Sequence, residues 1–99
     1  MVTEVKISSA ARADLVEIRK YSNEQFSAEV ADNYFTGFDD VFDLLRRHPG
    51  AGTAKPEFGK NIRCTVHRKH QIYYQFSREV VLIIRIIHHA RNAKRELNP

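Results

Sequence analysis

The chain predicts an α+β fold in which a helical hairpin covers an antiparallel sheet, in the order β-α-α-β-β-β. Apolar residues recur at helical spacing through the first half, from Ala11 to Leu45, and at a spacing of two through the second, from Ile62 to Phe76. Between these regimes, residues 48–60 gather Gly50, Gly52, Gly59, Pro49 and Pro56, which is turn chemistry.

The stretch VTEVKI (2–7) alternates and reads as a short strand with Val5 and Ile7 on its apolar face. Ser8 or Ser9 can cap the helix that follows by accepting from a free N–H of its first turn. Ala11, Leu15, Ile18 and Tyr21 form its stripe. Asp14 and Glu17 fall early, Arg19 and Lys20 late, the order that the helix dipole favours. SNEQFS (22–27) breaks the pattern, and Ser27 offers a second cap. Val30, Ala31, Tyr34, Phe35, Phe38, Val41, Phe42 and Leu45 then mark one long stripe. Arg46, Arg47 and His48 close it before Pro49 and Gly50.

After the loop, NIRCTVH (61–67) places Ile62, Cys64 and Val66 on one face and Arg63, Thr65 and His67 on the other. RKH (68–70) is a tight turn. QIYYQF (71–76) places Ile72, Tyr74 and Phe76 against Gln71, Tyr73 and Gln75. SRE (77–79) is another turn, and VVLIIRII (80–87) is apolar enough for a central strand covered on both faces. The tail can form a last helical turn or two. A lone first strand is unstable, so it must join the sheet formed by the other three. Helices on one face leave the other for Arg63, Thr65, His67, Tyr73 and Arg85 to gather.

With 99 residues, 42% of them hydrophobic and ten aromatic, the chain suits one domain with a core that needs no staples. The single cysteine, Cys64, excludes an intrachain disulfide and fits a reducing compartment. MVTEVKISS is too short and polar for a signal peptide, and VVLII is far too short to span a membrane, so a cytoplasmic protein is expected. Residues 1–45 hold four basic and nine acidic residues, whereas residues 46–99 hold twelve basic and three acidic. That segregation, net −5 against net +9, suits an acidic partner or a polyanion at the basic half.

The most informative segment is RIIHHARNAK (85–94), where the most apolar strand runs into Arg85, His88, His89, Arg91 and Lys94. A rigid strand fixes where such side chains point. The plainer alternative is that His88 caps the sheet and Arg91 pairs with an acid of the first helix, such as Asp14.

Several stretches together resemble the ParE branch of the RelE/ParE superfamily of toxin–antitoxin toxins. AARADLVEIRKY (10–21) is similar to its first helix, HPGAG (48–52) to the turn after the second, and KPEFGKNIRC (55–64) to the loop that sets an Arg at a strand start. HQIYYQF (70–76) matches an Ile-x-Tyr strand, and VLIIRIIHHARN (81–92) the last strand, with its Arg-x-x-His-x-x-Arg pattern. The chain departs at His89 and Asn92, where members often carry Gly and Asp. The resemblance implies a toxin that inhibits DNA gyrase by protein–protein contact, without cofactor, metal or membrane. Its partner would be a ParD-like antitoxin with a ribbon-helix-helix domain and a disordered acidic arm. The two would form a hetero-oligomer that meets DNA only through the antitoxin.

Under that resemblance, Arg63, Tyr73, Arg85, His88 and Arg91 are the expected target-binding residues. Tyr21 and Tyr34 are expected to receive the antitoxin arm. The alternative is a RelE-like, ribosome-dependent mRNA endonuclease. A 2′-hydroxyl attack on phosphate needs a base, an acid and cations, which Glu57, His88 (or His67), Arg63 and Arg85 could supply. The RelE branch is denser in Lys and Arg on the sheet face and usually ends in a reactive aromatic or His, both lacking in RELNP (95–99). His67, His70, His88 and His89 lack the spacing of a compact metal site, and Cys64 reads as a buried small hydrophobe. A non-toxic, scaffolding member remains a third class.

Overall fold

A computed structural model describes residues 3–97. The elements are β1 (Glu4–Ile7), α1 (Ser9–Gln25), α2 (Ala28–Arg47), β2 (Thr53–Ala54), a 3-10 turn (Pro56–Phe58), β3 (Ile62–His67), β4 (His70–Ser77), β5 (Val80–His88) and α3 (Ala93–Leu97). The helical hairpin and the three-strand meander are as the periodicity predicts. The sheet order is β1-β5-β4-β3-β2. The sheet is mixed, because β1 runs parallel to β5 while every other pair is antiparallel. Val2, expected in the first strand, lies outside the described residues.

Three boundaries differ from expectation. The two-residue β2 forms inside the expected loop, pairing Thr53 with Cys64 and Ala54 with Arg63. Helix α1 continues through SNEQ, buries Ser22 and ends at Gln25, so only Phe26 and Ser27 join the helices. The longer α1 has no acid in its first turn and no base in its last. The dipole argument therefore fails for α1. It holds for α2, with Glu29 early and Arg46 and Arg47 late. Both caps form as expected: Ser8 accepts from Ala11 N–H at 3.0 Å and Ser27 from Val30 N–H at 3.2 Å.

The core lies between the hairpin and the sheet. Ala11, Ile18, Phe38, Phe42 and Leu45 pack on Ile72, Tyr74, Val81, Ile83 and Ile86. Tyr21, expected in this stripe, is 60% exposed, whereas Ser22 beside it is buried. A smaller cluster on the opposite face joins Cys64, Tyr73 and Ile87 beneath Phe58, Ala93 and Leu97.

The facing of β3 is the reverse of what its apolar alternation suggests. Arg68 and Lys69 form a two-residue turn, with Arg68 in the left-handed region at φ 54°. That turn fixes the register as His67 opposite His70, Thr65 opposite Ile72 and Arg63 opposite Tyr74. Arg63, Thr65 and His67 therefore share the helix-covered face, whereas Cys64 lies on the other and Val66 is 57% exposed.

Strand β5 carries a bulge. Tyr73 pairs with Arg85 but Tyr74 pairs with Ile83, which leaves Ile84 as the extra residue. Strict alternation from Val81 and Ile83 would bring Arg85 into the main core. The bulge resets the count, so Ile86 joins Ile83 in that core and Arg85 stands opposite Tyr73. Beyond Ile7, β1 no longer covers the edge of β5, and α1 takes over. Ser8 donates to Ile83 O (3.0 Å, N–H) and Ile84 O (2.8 Å, hydroxyl). Asp14 Oδ2 then accepts from Ile86 N–H at 2.8 Å and from Arg85 Nε at 2.8 Å, while Oδ1 accepts from Arg85 Nη2 at 2.9 Å. Glu96 of α3 completes the shell, its carbonyl accepting from Arg85 Nη1 at 3.2 Å.

Removing Asp14 would leave a half-buried guanidinium and a strand N–H unpaired together. Asp14→Ala is expected to lower stability by about 3 kcal/mol, the scale for breaking one side of a buried pair. Asp14→Asn keeps an acceptor and should cost less. Urea unfolding of both variants measures the difference.

Candidate functional site

A groove of about 730 Å³ opens where the tip of the helical hairpin meets the β3–β4 turn and the end of β5. Ile18, Tyr21, Phe26, Val30, Ala31 and Tyr34 form its apolar wall. Arg68, Lys69, His70, His88 and Arg91 form the opposite side, and Glu17 is the acid at the rim. Tyr21, Phe26 and Val30 are large apolar residues left exposed together, the mark of a surface that meets another protein.

The β3–β4 turn sets its basic side. His67 faces α2, where its Nε2–H donates to Tyr34 O at 2.9 Å and its ring packs edge-on against Phe38 at 4.7 Å between centroids. Gly37 makes this approach possible: a Cβ there would lie 2.1 Å from His67 Cε1. The Tyr34 hydroxyl hydrogen-bonds His70 Nδ1, and the Arg68 guanidinium stands 6.0 Å from the centre of the Tyr34 ring. His70 meets His88 edge-on at 5.4 Å, and His88 stacks on His89 at 4.5 Å. Ala90 N–H donates to His88 Nδ1 at 3.1 Å, which leaves Nε2 of a neutral ring carrying the proton.

These surroundings favour the neutral form of His70 and His88. Burial, then the neighbouring His88, His67 and His89, bring His70 down from 6.5 to about 4. Burial, His89, Lys69 and Arg91 lower His88. Burial raises the Tyr34 phenol.

The five expected target residues do not gather. Arg63, on the helix-covered face, donates from Nη1 to Gly52 O at 2.7 Å and so ties down the loop after α2. Tyr74 holds the same loop, donating to Pro49 O at 2.7 Å and accepting from Gly52 N–H at 2.9 Å. Tyr73, on the other face, is only 3% exposed beneath Phe58, so it supports a surface rather than forming one. Arg85 is taken up by Asp14 and Glu96. This corrects the pairing considered from sequence, since Asp14 holds Arg85 while Arg91 pairs with Glu96 at 3.1 Å. Of the five, His88 and Arg91 come together, at the groove. Tyr21 and Tyr34 line the same groove from the other side.

The endonuclease candidates are equally scattered. Glu57 is exposed in the 3-10 turn, Arg63 and Arg85 have the partners just given, and His88 sits at the far end of β5 beside His70. Burial pushes the Cys64 thiol up, away from the thiolate a nucleophile needs. Among the described residues, no group of three or more His, Cys, Asp or Glu side chains could hold a metal, and no helix is long and apolar enough to cross a membrane. Sequence reasoning missed Phe26, Arg68, Lys69 and His70 as groove residues. Counting back from the two-residue turn would have placed His67 and His70 together facing α2.

The helical hairpin on a mixed sheet is a fold shared with chains of solved toxin–antitoxin systems. A chain of the chromosomal ParDE system of P. aeruginosa superposes with a TM-score of 0.73 at 19% identity, over 88% of this chain and 96% of that one. A chain of the RelBE2 complex of Mycobacterium tuberculosis gives 0.61 at 18% identity, over 89% and 99%. Toxin ParE1 of Caulobacter vibrioides is 28% identical across 92 residues, which is 93% of this chain and 95% of the relative. The family model for the ParE toxin of the type II toxin–antitoxin system parDE matches residues 5–93, so the chain belongs to the ParE toxin family.

Two outcomes test the groove floor. Gly37→Ala normally gains about 1 kcal/mol in helix propensity, but here it should destabilise the protein by displacing the His67 ring, and adding His67→Ala should recover the loss. His70 also makes stability depend on pH. Its folded pKa lies below the unfolded value, so the folded state binds fewer protons between pH 6.5 and about 4. Melting temperature should therefore fall as pH drops through that window. The part of the fall removed by His70→Gln is the contribution of His70.

Proposed function

We propose that this ParE-family toxin inhibits DNA gyrase by protein–protein contact and has no cleavage reaction of its own. The observation that carries the reading is the dispersal of Glu57, Arg63, Arg85 and His88. Acid–base cleavage of RNA needs a base, an acid and cations around one phosphate. Here the arginines are spent on Gly52 and on Asp14 with Glu96, and they lie on opposite faces of the sheet. His88 and Arg91 remain at the groove rim as target contacts, with Tyr73 and Arg85 as supports behind them.

The partner we propose is a ParD-like antitoxin encoded beside this chain, whose acidic arm folds into the groove against Tyr21 and Tyr34. An arm seated there covers His88 and Arg91, so neutralisation follows from occlusion. Exposed apolar residues facing Arg68, Lys69 and Arg91 suit an amphipathic acidic segment.

Induction without antitoxin, followed by pulse labelling, tests the target. The expected result is early loss of DNA synthesis, with purified toxin inhibiting gyrase supercoiling or trapping cleaved DNA. Immediate arrest of translation with cut messages, and gyrase unaffected, would replace this reading with the endonuclease. Arg91→Ala with His88→Ala should weaken gyrase inhibition while the fold, read by circular dichroism, stays intact.

A further inference from the structure

The proposed groove is chemically two-ended, and this determines how an occupant must lie. Tyr21, Phe26 and Val30 at the hairpin tip give one apolar end. At the other end, His70 and His88 meet edge-on, with Lys69 and Arg91 beside them. We propose that this histidine-lined end is a carboxylate subsite, which receives an acidic side chain of the docked antitoxin arm and takes up a proton as it fills. The inference rests on the groove being the antitoxin site.

Geometry carries the argument. The charges facing the two histidines come from every neighbouring element. Helix α1 supplies Asp14 and Glu17, and α2 supplies the neutral Tyr34 hydroxyl on His70 Nδ1. Strand β3 supplies His67 and the turn after it Arg68 and Lys69, and β5 with its tail supplies His89 and Arg91. Asp14 is occupied by Arg85, and Glu17 stands on an exposed rim of α1. The histidine end is therefore short of negative charge. In the neutral ring His88 Nδ1 accepts from Ala90 N–H and Nε2–H is the donor for a ligand oxygen; the proton taken up goes to Nδ1, which releases the exposed Ala90 N–H to solvent. Among the described residues the Arg91 side chain is held by the ion pair to Glu96, and it is 63% exposed, so it can turn toward a second carboxylate at small cost.

The free groove disfavours the imidazolium, through burial and through neighbouring cations and histidines. A carboxylate seated there reverses the balance and raises the bound-state pKa. The affinity gain is then full below the free-state pKa and is lost as pH rises through the bound-state value. Kd should tighten as pH falls, by at most about tenfold per pH unit for each proton taken up.

The test is calorimetry of full-length toxin with the full-length antitoxin encoded beside it, between pH 8 and pH 6, in two buffers of different ionisation enthalpy. Net proton uptake that grows as pH falls, and is lost in His88→Gln, is the expected result. Arg91→Gln should weaken binding at every pH and leave the uptake in place. Tight binding with no proton uptake, and wild-type affinity in both variants, would overturn the carboxylate subsite and leave the groove reading standing. Val30→Asp checks that reading separately. Wild-type affinity in this variant, folded by circular dichroism, would remove the groove as the antitoxin site altogether.

Discussion

The Asp14 carboxylate holds the molecule together at its most exacting point. A central strand cannot leave its backbone polar groups bare, yet β1 stops four pairs into β5. Helix α1 supplies the missing partners, first through Ser8 and then through Asp14. Because the carboxylate binds both Ile86 N–H and the Arg85 guanidinium, it fixes the helix on the strand and stabilises the bulge that turns Arg85 out of the core. Glu96 brings α3 against the same guanidinium, so one arginine joins α1, β5 and α3. An unpaired charge at this depth would be costly, and three ordered hydrogen bonds to Asp14 offset that cost.

At the opposite edge of the sheet the same principle works through rings. Gly37 gives up a side chain so that His67 can lie on α2, and His67 then bonds the carbonyl of Tyr34. Tyr34 reaches on to His70, which turns toward His88. The loop after α2 is held from below by Tyr74 and Arg63. Both ends of the hairpin–sheet contact are thus secured by polar anchors, while the hairpin tip beyond them keeps its apolar residues uncovered. A groove results between this tip, the β3–β4 turn and the end of β5.

Charge segregation along the chain becomes segregation in space at that groove. The acidic residues of the first half lie mostly on the solvent side of the helices, where Asp32 pairs with Arg19 and Asp43 with Arg46. The basic turn residues Arg68 and Lys69 are not met by them, and Glu17 alone approaches from α1. An antitoxin arm would find apolar anchors and unmatched positive charge side by side.

The sequence by itself determined the helical hairpin, both serine caps, the three-strand meander and the apolar stripe of α2. Each follows from local period and turn chemistry, which neighbours in the chain impose. The register of β3 was legible too, from the two-residue turn at Arg68 and Lys69, but apolar alternation argued for the opposite face. A strand with only the two-residue β2 beyond it can turn His67 and Arg63 toward the helices, so burial there does not follow hydrophobicity. Only the tertiary structure decided the parallel pairing of β1, the bulge at Ile84 and the meeting of Asp14 with Arg85, 71 positions apart. It also separated residues that the resemblance had grouped: Tyr73 and Arg85 became supports, while His88 and Arg91 were brought to the groove. A one-residue bulge reverses which face a side chain takes, and no local pattern in VVLIIRIIH announces it.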